Sequence, residues 1–281
     1  MKRRTLLAAS AALPGAVAAA PGAVGAGGKT LHLAFASPET SFDPPQTNSD
    51  ANASIVLANI LEAPLCYDYL ARPVRLMPAT AAVLPEVSLD GSVFTVRLQP
   101  GIFFADDPAF KGQPRELVAQ DYVYSIKRFY DPRYNSADLY LFESLKLLGL
   151  TELRDRAVKS RKPFDYDTDV EGLRTLDRHT FRITLGVPDA RFIYMLAAPQ
   201  NTGAVAREVV EMYGDDIGAH PVGTGAFRLK RWRRASRIEL ERSPDFRRKA
   251  PVPTGWAPMS SPYSSTTSRA TAPVYCGDAS R

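Results

Sequence analysis

An α/β fold is predicted for this chain of 281 residues, and three features predict it. Between residues 94 and 98 apolar and polar side chains alternate, as in a half-buried strand. Between residues 122 and 130 apolar side chains recur at helical spacing. Strand and helix patterns continue to alternate from residue 30 to residue 249 without repeats. This order favours a mixed domain of roughly 220 residues, enough to bury about 70% of its unfolded surface.

The first elements along the chain are a strand and a helix. Residues 31–35 alternate large apolar side chains with smaller or polar ones, and Pro38 ends this predicted strand. A helix is predicted for residues 51–61. Its apolar side is expected to contain Ile55, Val56, Asn59 and Ile60.

The central strand and helix have recognisable boundaries. Asp90 and Gly91 form a turn pair before the strand at residues 94–98, and Pro100 and Gly101 end it. The helix near residues 122–130 is predicted to be amphipathic. Its polar side is expected to contain Asp121, Lys127 and Arg128.

Further elements follow in the second half of the chain. Residues 139–150 are a helix candidate that Gly149 is expected to end. Residues 173–185 are predicted to form a hairpin with its turn at Asp177 and Arg178, followed by a short helix at residues 191–197. A last helix is predicted for residues 204–213. Its inward side is expected to contain Val205, Val209 and Met212.

The two ends of the chain differ in composition from the middle. Residues 1–26 are interpreted as a signal peptide, because three basic residues precede an uncharged run rich in Ala, Leu and Val. A membrane anchor is disfavoured because prolines and glycines interrupt that run. Either Sec or twin-arginine export is compatible with Arg3 and Arg4. Residues 250–281 are rich in Pro, Ser and Thr and lack periodicity, which is typical of a disordered tail.

The charge of the chain does not indicate a polyanion partner. Removing the three bases of the signal peptide lowers the formal net charge from +5 to +2. Residues 228–237 nevertheless contain a cluster of Arg and Lys. A nucleic-acid-binding patch is one interpretation of it. For an exported protein we favour the other, in which the basic residues form the outer face of a hairpin whose apolar residues point inward.

Several motifs are shared with a known family. The turn, strand, acidic loop and helix between residues 88 and 128 follow its residue pattern in order. The residues that carry it are Ser88, Asp90, Gly91, 96–98, Gly101, Phe104, Asp106, 121–125 and Arg128. Further matches are Phe42-Asp43-Pro44 and the segment 221–227. Over residues 30–247 the chain resembles the extracytoplasmic solute-binding proteins of family 5, the peptide and nickel class that serves ABC importers.

The resemblance implies a periplasmic-binding-protein-like fold of type II, in which two lobes close over a ligand. Residues 27–249 would correspond mainly to lobe I, and the chain would be truncated before lobe II, with 250–281 as a disordered or frame-shifted tail. The implied function is capture of a peptide-like solute in the periplasm and its delivery to a permease and an ATPase. Relatives that bind nickel, haem or an oligosaccharide leave the ligand open. No cofactor, metal site or nucleic acid is implied.

Ligand-facing residues can be placed only through this resemblance. The loop after the first predicted strand and an aromatic segment would face the cleft, and an acidic residue is a further candidate. These residues are Ser37, Glu39, Thr40, Ser41, Phe42, Tyr140 and Asp106. Core packing is an equal reading of Tyr140. The acidic pair Asp106 and Asp107, with Asp121, could suggest a cation site, but capping of the loop and of the helix that follows is the favoured interpretation, because carboxylates favour helix N-termini. Residues Gly223, Thr224 and Gly225 are interpreted as a tight turn that holds a strand pair, because glycine permits close backbone approach and positive φ.

Two other functions stay open. An inactive fragment that folds poorly is one. An exported enzyme is the other, and it would depend on Asp106, Asp107 or His220. The sequence disfavours the enzyme, because it contains no nucleophile elbow, no metalloprotease motif and no phosphate-binding glycine loop.

Overall fold

The computed structural model describes residues 30–68, 70–244 and 246–247. The predicted signal peptide at residues 1–26 and the predicted tail at 250–281 lie outside these residues. Within the described ranges, no helix combines the length and the hydropathy that a membrane span requires.

The structure is α/β, as the sequence predicts. Its helices are α1 (Ala51–Ile60), α2 (Ala119–Tyr130), α3 (Leu139–Glu143), α4 (Leu150–Ser160), α5 (Phe192–Met195), α6 (Pro199–Thr202) and α7 (Arg207–Tyr213). Its strands are β1 (Leu65–Tyr67), β2 (Leu76–Pro78), β3 (Glu86–Val87), β4 (Val93–Arg97), β5 (Leu173–Asp177), β6 (Thr180–Thr184), β7 (Phe227–Arg233) and β8 (Arg237–Arg242). Short 3-10 helices lie at Pro44–Gln46, Pro108–Phe110, Pro132–Tyr134 and Gly214–Ala219.

A four-stranded antiparallel sheet forms the centre, in the order β3-β4-β6-β5. In its register, Phe94 pairs with Ile183 and Val96 pairs with Phe181. These four side chains are fully buried, which is the outcome expected for the inner face of a strand pair with period-two alternation. The predicted strand at residues 94–98 and the predicted hairpin at 173–185 are therefore confirmed.

Helix α2 covers the inner face of this sheet. The ring of Tyr122 stacks on Phe181, with centroids 5.2 Å apart. No polar side chain caps the helix at Val118, and Asp121 instead accepts the Val118 N–H at 2.8 Å. This bond satisfies one of the backbone donors that a helix start leaves without an intrahelical partner.

Helix α2 has the predicted amphipathic pattern, but its polar side does not face solvent, because its polar residues are buried too. Asp121 pairs with Arg115, and Lys127 donates to the carbonyl groups of Tyr166 and Thr168. Arg128 pairs with a buried aspartate described below. Each buried charge thus has a partner, which is the condition under which a charged side chain can leave water. Helix α2 runs through the interior of the domain.

Three other predictions also differ from the structure. Residues 31–35 form no strand, because no strand among the described residues pairs with them and alternation alone cannot supply a partner. The candidate helix at 139–150 splits into α3 and the start of α4, and Gly149 precedes α4 with φ +84° instead of ending a helix. The helix predicted at 204–213 begins only at Arg207.

The buried sides of two helices were predicted only in part. In α1 the buried residues are Ala53, Val56, Leu57 and Ile60. Ile55 is exposed, because residues two apart on a helix lie on opposite sides. In the 204–213 segment Val205 and Val209 are buried as predicted, whereas Met212 is exposed.

Glu116 is expected to make the stability of this domain depend on pH in the acidic range. Its carboxylate accepts the Gly101 N–H at 2.9 Å and Arg178 Nη2 at 2.8 Å. These hydrogen bonds lower the pKa of Glu116 from 4.5 to about 2, and the bond from the Gly101 N–H contributes most. We expect the free energy of unfolding to fall as pH drops through this interval, because protonation removes the acceptor. Urea unfolding measured at several pH values should show it.

The matched control for this prediction is Glu116→Gln, which cannot titrate. Other carboxylates ionise in the same interval, so the informative quantity is the difference in slope between the two proteins. We expect a flatter profile for the variant below pH 4.5. Equal slopes would contradict a role for Glu116.

Candidate functional site

The predicted ligand loop, residues 37–42, lies before α1 and is tied to its first turn. Asp50 caps α1 by accepting the Asn52 N–H at 2.8 Å, and its second oxygen accepts the Thr40 N–H at 2.7 Å. Asn52 Nδ2 in turn donates to the Ser37 carbonyl at 2.9 Å. The loop therefore begins from a fixed position on the helix.

The predicted residues of this loop point in two directions. The side chains of Ser37 and Thr40 are exposed, whereas Glu39, Ser41 and Phe42 are buried. The exposed pair can contact a solute, and the buried three contact the domain.

Glu39 is attached to the tip of the β7–β8 hairpin. Its carboxylate accepts hydrogen bonds from Trp232 Nε1 and from the Ala235 N–H, the latter at 3.0 Å. Burial acts to raise the pKa of Glu39, but these hydrogen bonds and the nearby charge of Arg234 outweigh it and hold the pKa below its usual value. Glu39 thus stays ionised at neutral pH although the residue is only 7% exposed.

Ser41 and Phe42, the last two residues of the ligand loop, pack against other parts of the domain. The Phe42 ring lies against Trp232, with centroids 4.6 Å apart and planes tilted by 49°. The Phe42 N–H donates to the Gly218 carbonyl at 3.1 Å. A side chain at Gly218 would overlap Ser41 Oγ, so the turn after α7 can approach the loop only because it carries a glycine.

The loop ends at a fully buried ion pair. Arg128 of α2 donates to both oxygens of Asp43, at 2.6 and 2.9 Å. The guanidinium also lies over the ring of Tyr134 at 4.5 Å. Burial acts to lower the pKa of Arg128, but the Asp43 carboxylate more than offsets it, so the pKa of Arg128 lies above its usual value. Both residues belong to motifs quoted above, yet their pairing across the fold was missed.

Tyr140 lies on α3, and 60% of it is exposed. Core packing, the alternative reading, is therefore wrong. Asp138, just before α3, accepts hydrogen bonds from Thr47 Oγ1 and the Ser49 N–H, both at 3.1 Å. Thr40 Oγ1 donates to the Thr47 carbonyl at 3.0 Å. Thr47 therefore links the start of α3 to the predicted ligand loop.

Asp106 lies in a different place from Tyr140. It is exposed at the rim of a pocket of about 240 Å³. The pocket is lined by residues 105–107, residues 219–222 and residues 228–232 of β7. Trp232 forms part of this lining and also contacts Glu39 and Phe42. Trp232 therefore belongs both to the pocket that Asp106 lines and to the contacts that hold the ligand loop.

The residues of the enzyme alternative occupy the same pocket but have other contacts. Asp107 caps the turn Pro108–Phe110 through the Ala109 N–H at 2.9 Å and accepts the Tyr213 hydroxyl at 3.0 Å. The His220 ring stacks on Tyr213 at 3.9 Å. The capping role predicted for Asp107 is confirmed. Within the described residues no cluster of three or more His, Cys, Asp or Glu side chains could hold a metal ion.

The glycines at 223 and 225 lie against the last turn of α1. Gly225 N–H donates to the Ile60 carbonyl at 2.8 Å, and Thr224 Oγ1 donates to Glu62 Oε2 at 2.8 Å. The predicted need for close backbone approach is confirmed. Neither glycine adopts the positive φ that glycine also permits. Arg247 also pairs with Glu62 at 2.8 Å, and burial lowers the pKa of Arg247 to about 10, which leaves it charged at neutral pH.

Gly223→Ala is expected to lower the free energy of unfolding by about 2–3 kcal/mol, because the added Cβ would overlap the carbonyl of Ile60 and force backbone movement. Gly112→Ala is the matched control. Gly112 has φ +73° and open space around it, so only backbone strain of about 1 kcal/mol is expected there. Urea unfolding measures both values. A loss at Gly223 no larger than at Gly112 would contradict the close contact.

Comparison with protein families gives one match over most of the described chain. Residues 75–255 match the model described as bacterial extracellular solute-binding proteins, family 5 Middle. Di/tripeptide-binding protein 2 of Pseudomonas aeruginosa is 29% identical over 179 residues, which are 60% of this chain and 31% of that protein. The periplasmic oligopeptide-binding protein OppA of Salmonella typhimurium is 35% identical over 159 residues, 56% of this chain and 26% of that protein. The chain thus spans less than half the length of these relatives.

Solved structures of periplasmic binding proteins share the fold of this chain. The Haemophilus influenzae OppA complex with the peptide RPPGFSPFR superposes with a TM-score of 0.59 at 25% identity, covering 74% of this chain and 37% of that one. The periplasmic binding protein DppA from Helicobacter pylori, in complex with the peptide STSA, gives a TM-score of 0.59 at 21% identity, covering 75% and 38%. The latter likeness concerns the fold alone.

Proposed function

We propose a function from the premise that this chain belongs to the bacterial extracellular solute-binding proteins, family 5, whose model matches residues 75–255. The resemblance found in the sequence is thereby confirmed. In our proposal the chain is the substrate-binding component of an ABC importer. It captures a peptide or a similar small solute outside the cytoplasmic membrane and delivers it to a permease driven by an ATPase.

The names of the relatives support a peptide as the ligand. The two relatives described above are named for di- and tripeptides and for oligopeptides, and the superposed Haemophilus influenzae OppA structure contains a bound peptide. A third relative, from Pectobacterium atrosepticum, is named a glutathione-binding protein. Nickel, haem and oligosaccharides receive no such support. The named relatives are binding proteins, which also supports a binding role over an enzymatic one.

The proposal assigns this chain to lobe I of a type II fold, with the ligand lying against the loop at residues 37–42. Ser37 and Thr40 are exposed on that loop, and Tyr140 is exposed on α3, so these three side chains would contact the solute. Glu39, Ser41 and Phe42 would support the loop from inside. Asp106 would act at the neighbouring pocket. A second lobe would close over the opposite side of the ligand.

Isothermal titration of the purified chain with trialanine tests this proposal. We expect saturable binding that weakens in Tyr140→Ala. The melting temperature of that variant should barely change, because exposed side chains contribute little to stability. The peptide should be recovered intact, whereas hydrolysis would favour an exported enzyme.

A second candidate is a fragment that cannot hold a ligand alone. The short span of the match supports it, since the chain covers 26% of OppA from Salmonella typhimurium. A cooperative thermal melt together with no heat of binding for trialanine would favour this candidate and contradict peptide capture by the chain itself.

A further inference from the structure

We propose that Trp232, at the end of β7, is a positioning residue for peptide binding. It does not belong to the predicted ligand loop. It holds that loop in place through two separate contacts, one polar and one aromatic. The inference rests on the proposed function, because it concerns the affinity for the captured peptide.

The polar contact joins the indole to Glu39. Trp232 Nε1 donates to the same carboxylate oxygen that accepts the Ala235 N–H at 3.0 Å. A hydrogen bond to a charged acceptor is stronger than one between neutral groups, and losing the donor leaves a buried charge with one partner fewer. Glu39 therefore fixes the middle of the loop to the hairpin.

The aromatic contact joins the indole to Phe42. Phe42 is fully buried, and its ring lies 4.6 Å from Trp232 between centroids. The guanidinium of Arg234 lies 5.5 Å from the centroid of the Trp232 ring and also donates to the Thr40 carbonyl. Three loop residues are thus held by the hairpin: Glu39, Thr40 and Phe42.

The hairpin can serve as a fixed support because it is itself held. Arg228 and Glu241 pair across its two strands at 2.8 Å, and β7 packs against α1. A loop that is already ordered loses less conformational entropy when a ligand binds, so affinity rises without any new ligand contact. Trp232 also lines the pocket beside Asp106. Its position therefore affects both parts of the candidate site.

Trp232→Phe removes the N–H donor and keeps an aromatic ring against Phe42. We expect the variant to bind trialanine about 3- to 10-fold more weakly, the effect of one lost hydrogen bond. Glu39→Ala removes the acceptor of this bond and should weaken binding at least as much, and the double variant should be no weaker than Glu39→Ala alone, because both substitutions remove the same bond. Arg233→Ala changes an exposed neighbour on β7 and should bind as the parent does.

The pH profile of binding separates positioning from general stability. In the parent the pKa of Glu39 lies below its usual value, so the anchor is present above that pKa and lost as pH falls through it. Trp232→Phe removes a bond that lowers this pKa, so binding should be lost at a higher pH. Glu39→Gln cannot titrate and should lack this dependence. A purely structural loss would not move the profile.

The fluorescence of Trp232 gives a third measurement. The chain has two tryptophans, so in Trp256→Phe the emission comes from Trp232 alone. Trialanine should shift that emission, since the loop contacts the indole directly. If Trp232→Phe fails to fold, Glu39→Ala removes the same bond from its acceptor side and provides the test. Unchanged affinity and pH profile in a variant of a binding-competent parent would overturn this inference, whereas a parent that binds no trialanine would overturn the proposed function and the inference with it.

Discussion

Replacing Arg128 with methionine is expected to lower the free energy of unfolding by about 3–5 kcal/mol. The variant keeps most of the volume of the side chain but leaves the carboxylate of Asp43 without its partner. Asp43 is 1% exposed and Arg128 is completely buried. Removing one member of such a pair is costly because the other charge remains out of water. Urea unfolding at neutral pH measures the loss.

The geometry of the pair explains why a large effect is expected. Both guanidinium nitrogens reach Asp43, at 2.6 and 2.9 Å, and such bidentate pairs are among the strongest side-chain interactions. The pair also connects α2 to Asp43, which lies 85 positions earlier in the chain. Its loss should therefore loosen the end of the predicted ligand loop, and under the proposed function the affinity for trialanine should fall with stability.

Two variants show whether the unpaired charge is the cause. Arg133→Met alters another arginine that lies over Tyr134, at 4.6 Å, but Arg133 is exposed. The free energy of unfolding of this variant should fall by only about 0.5 kcal/mol, as for other surface substitutions. The double variant Asp43→Leu with Arg128→Met removes both charges and should recover part of the stability. A loss below about 1 kcal/mol in Arg128→Met would contradict the interpretation.

The sequence predicts local structure in this chain better than it predicts partners. Strand β4, the β5–β6 hairpin and α2 follow from patterns within a few residues, and all three form where expected. The partners of Asp121, Lys127 and Arg128 lie elsewhere in the fold or on a neighbouring loop. Helical periodicity places these side chains opposite the apolar stripe but does not reveal that this side is buried. The burial of the polar side of α2 was not predicted for that reason.

In the candidate site, too, the local segment could be predicted but the partners of its side chains could not. The resemblance indicates the loop at residues 37–42, and the structure shows that Glu39 and Phe42 point into the domain. Trp232 lies 193 positions after Glu39, so no local pattern could connect them. The one available signal was compositional, because Trp232 interrupts the basic cluster at residues 228–237. That cluster was interpreted only as the outer face of a hairpin.

Phe181→Ala is expected to lower the free energy of unfolding by about 3–5 kcal/mol, the usual effect of deleting a buried phenyl ring. Phe181 is fully buried on β6, one of the two inner strands of the sheet. Its ring stacks on Tyr122 at 5.2 Å. The substitution therefore opens a cavity between the sheet and α2 that neither element can fill by a small movement. Urea unfolding with a constant m value would show that the change is in stability.

Phe103→Ala is the matched control for this cavity, because it makes the same chemical change at a ring that is 50% exposed. We expect it to lose about 1 kcal/mol or less. Phe181→Leu should fall between the two, since leucine fills part of the space. The order Phe181→Ala, Phe181→Leu, Phe103→Ala follows directly from burial. Equal losses in the two alanine variants would mean that α2 does not pack on β6 as the structure shows.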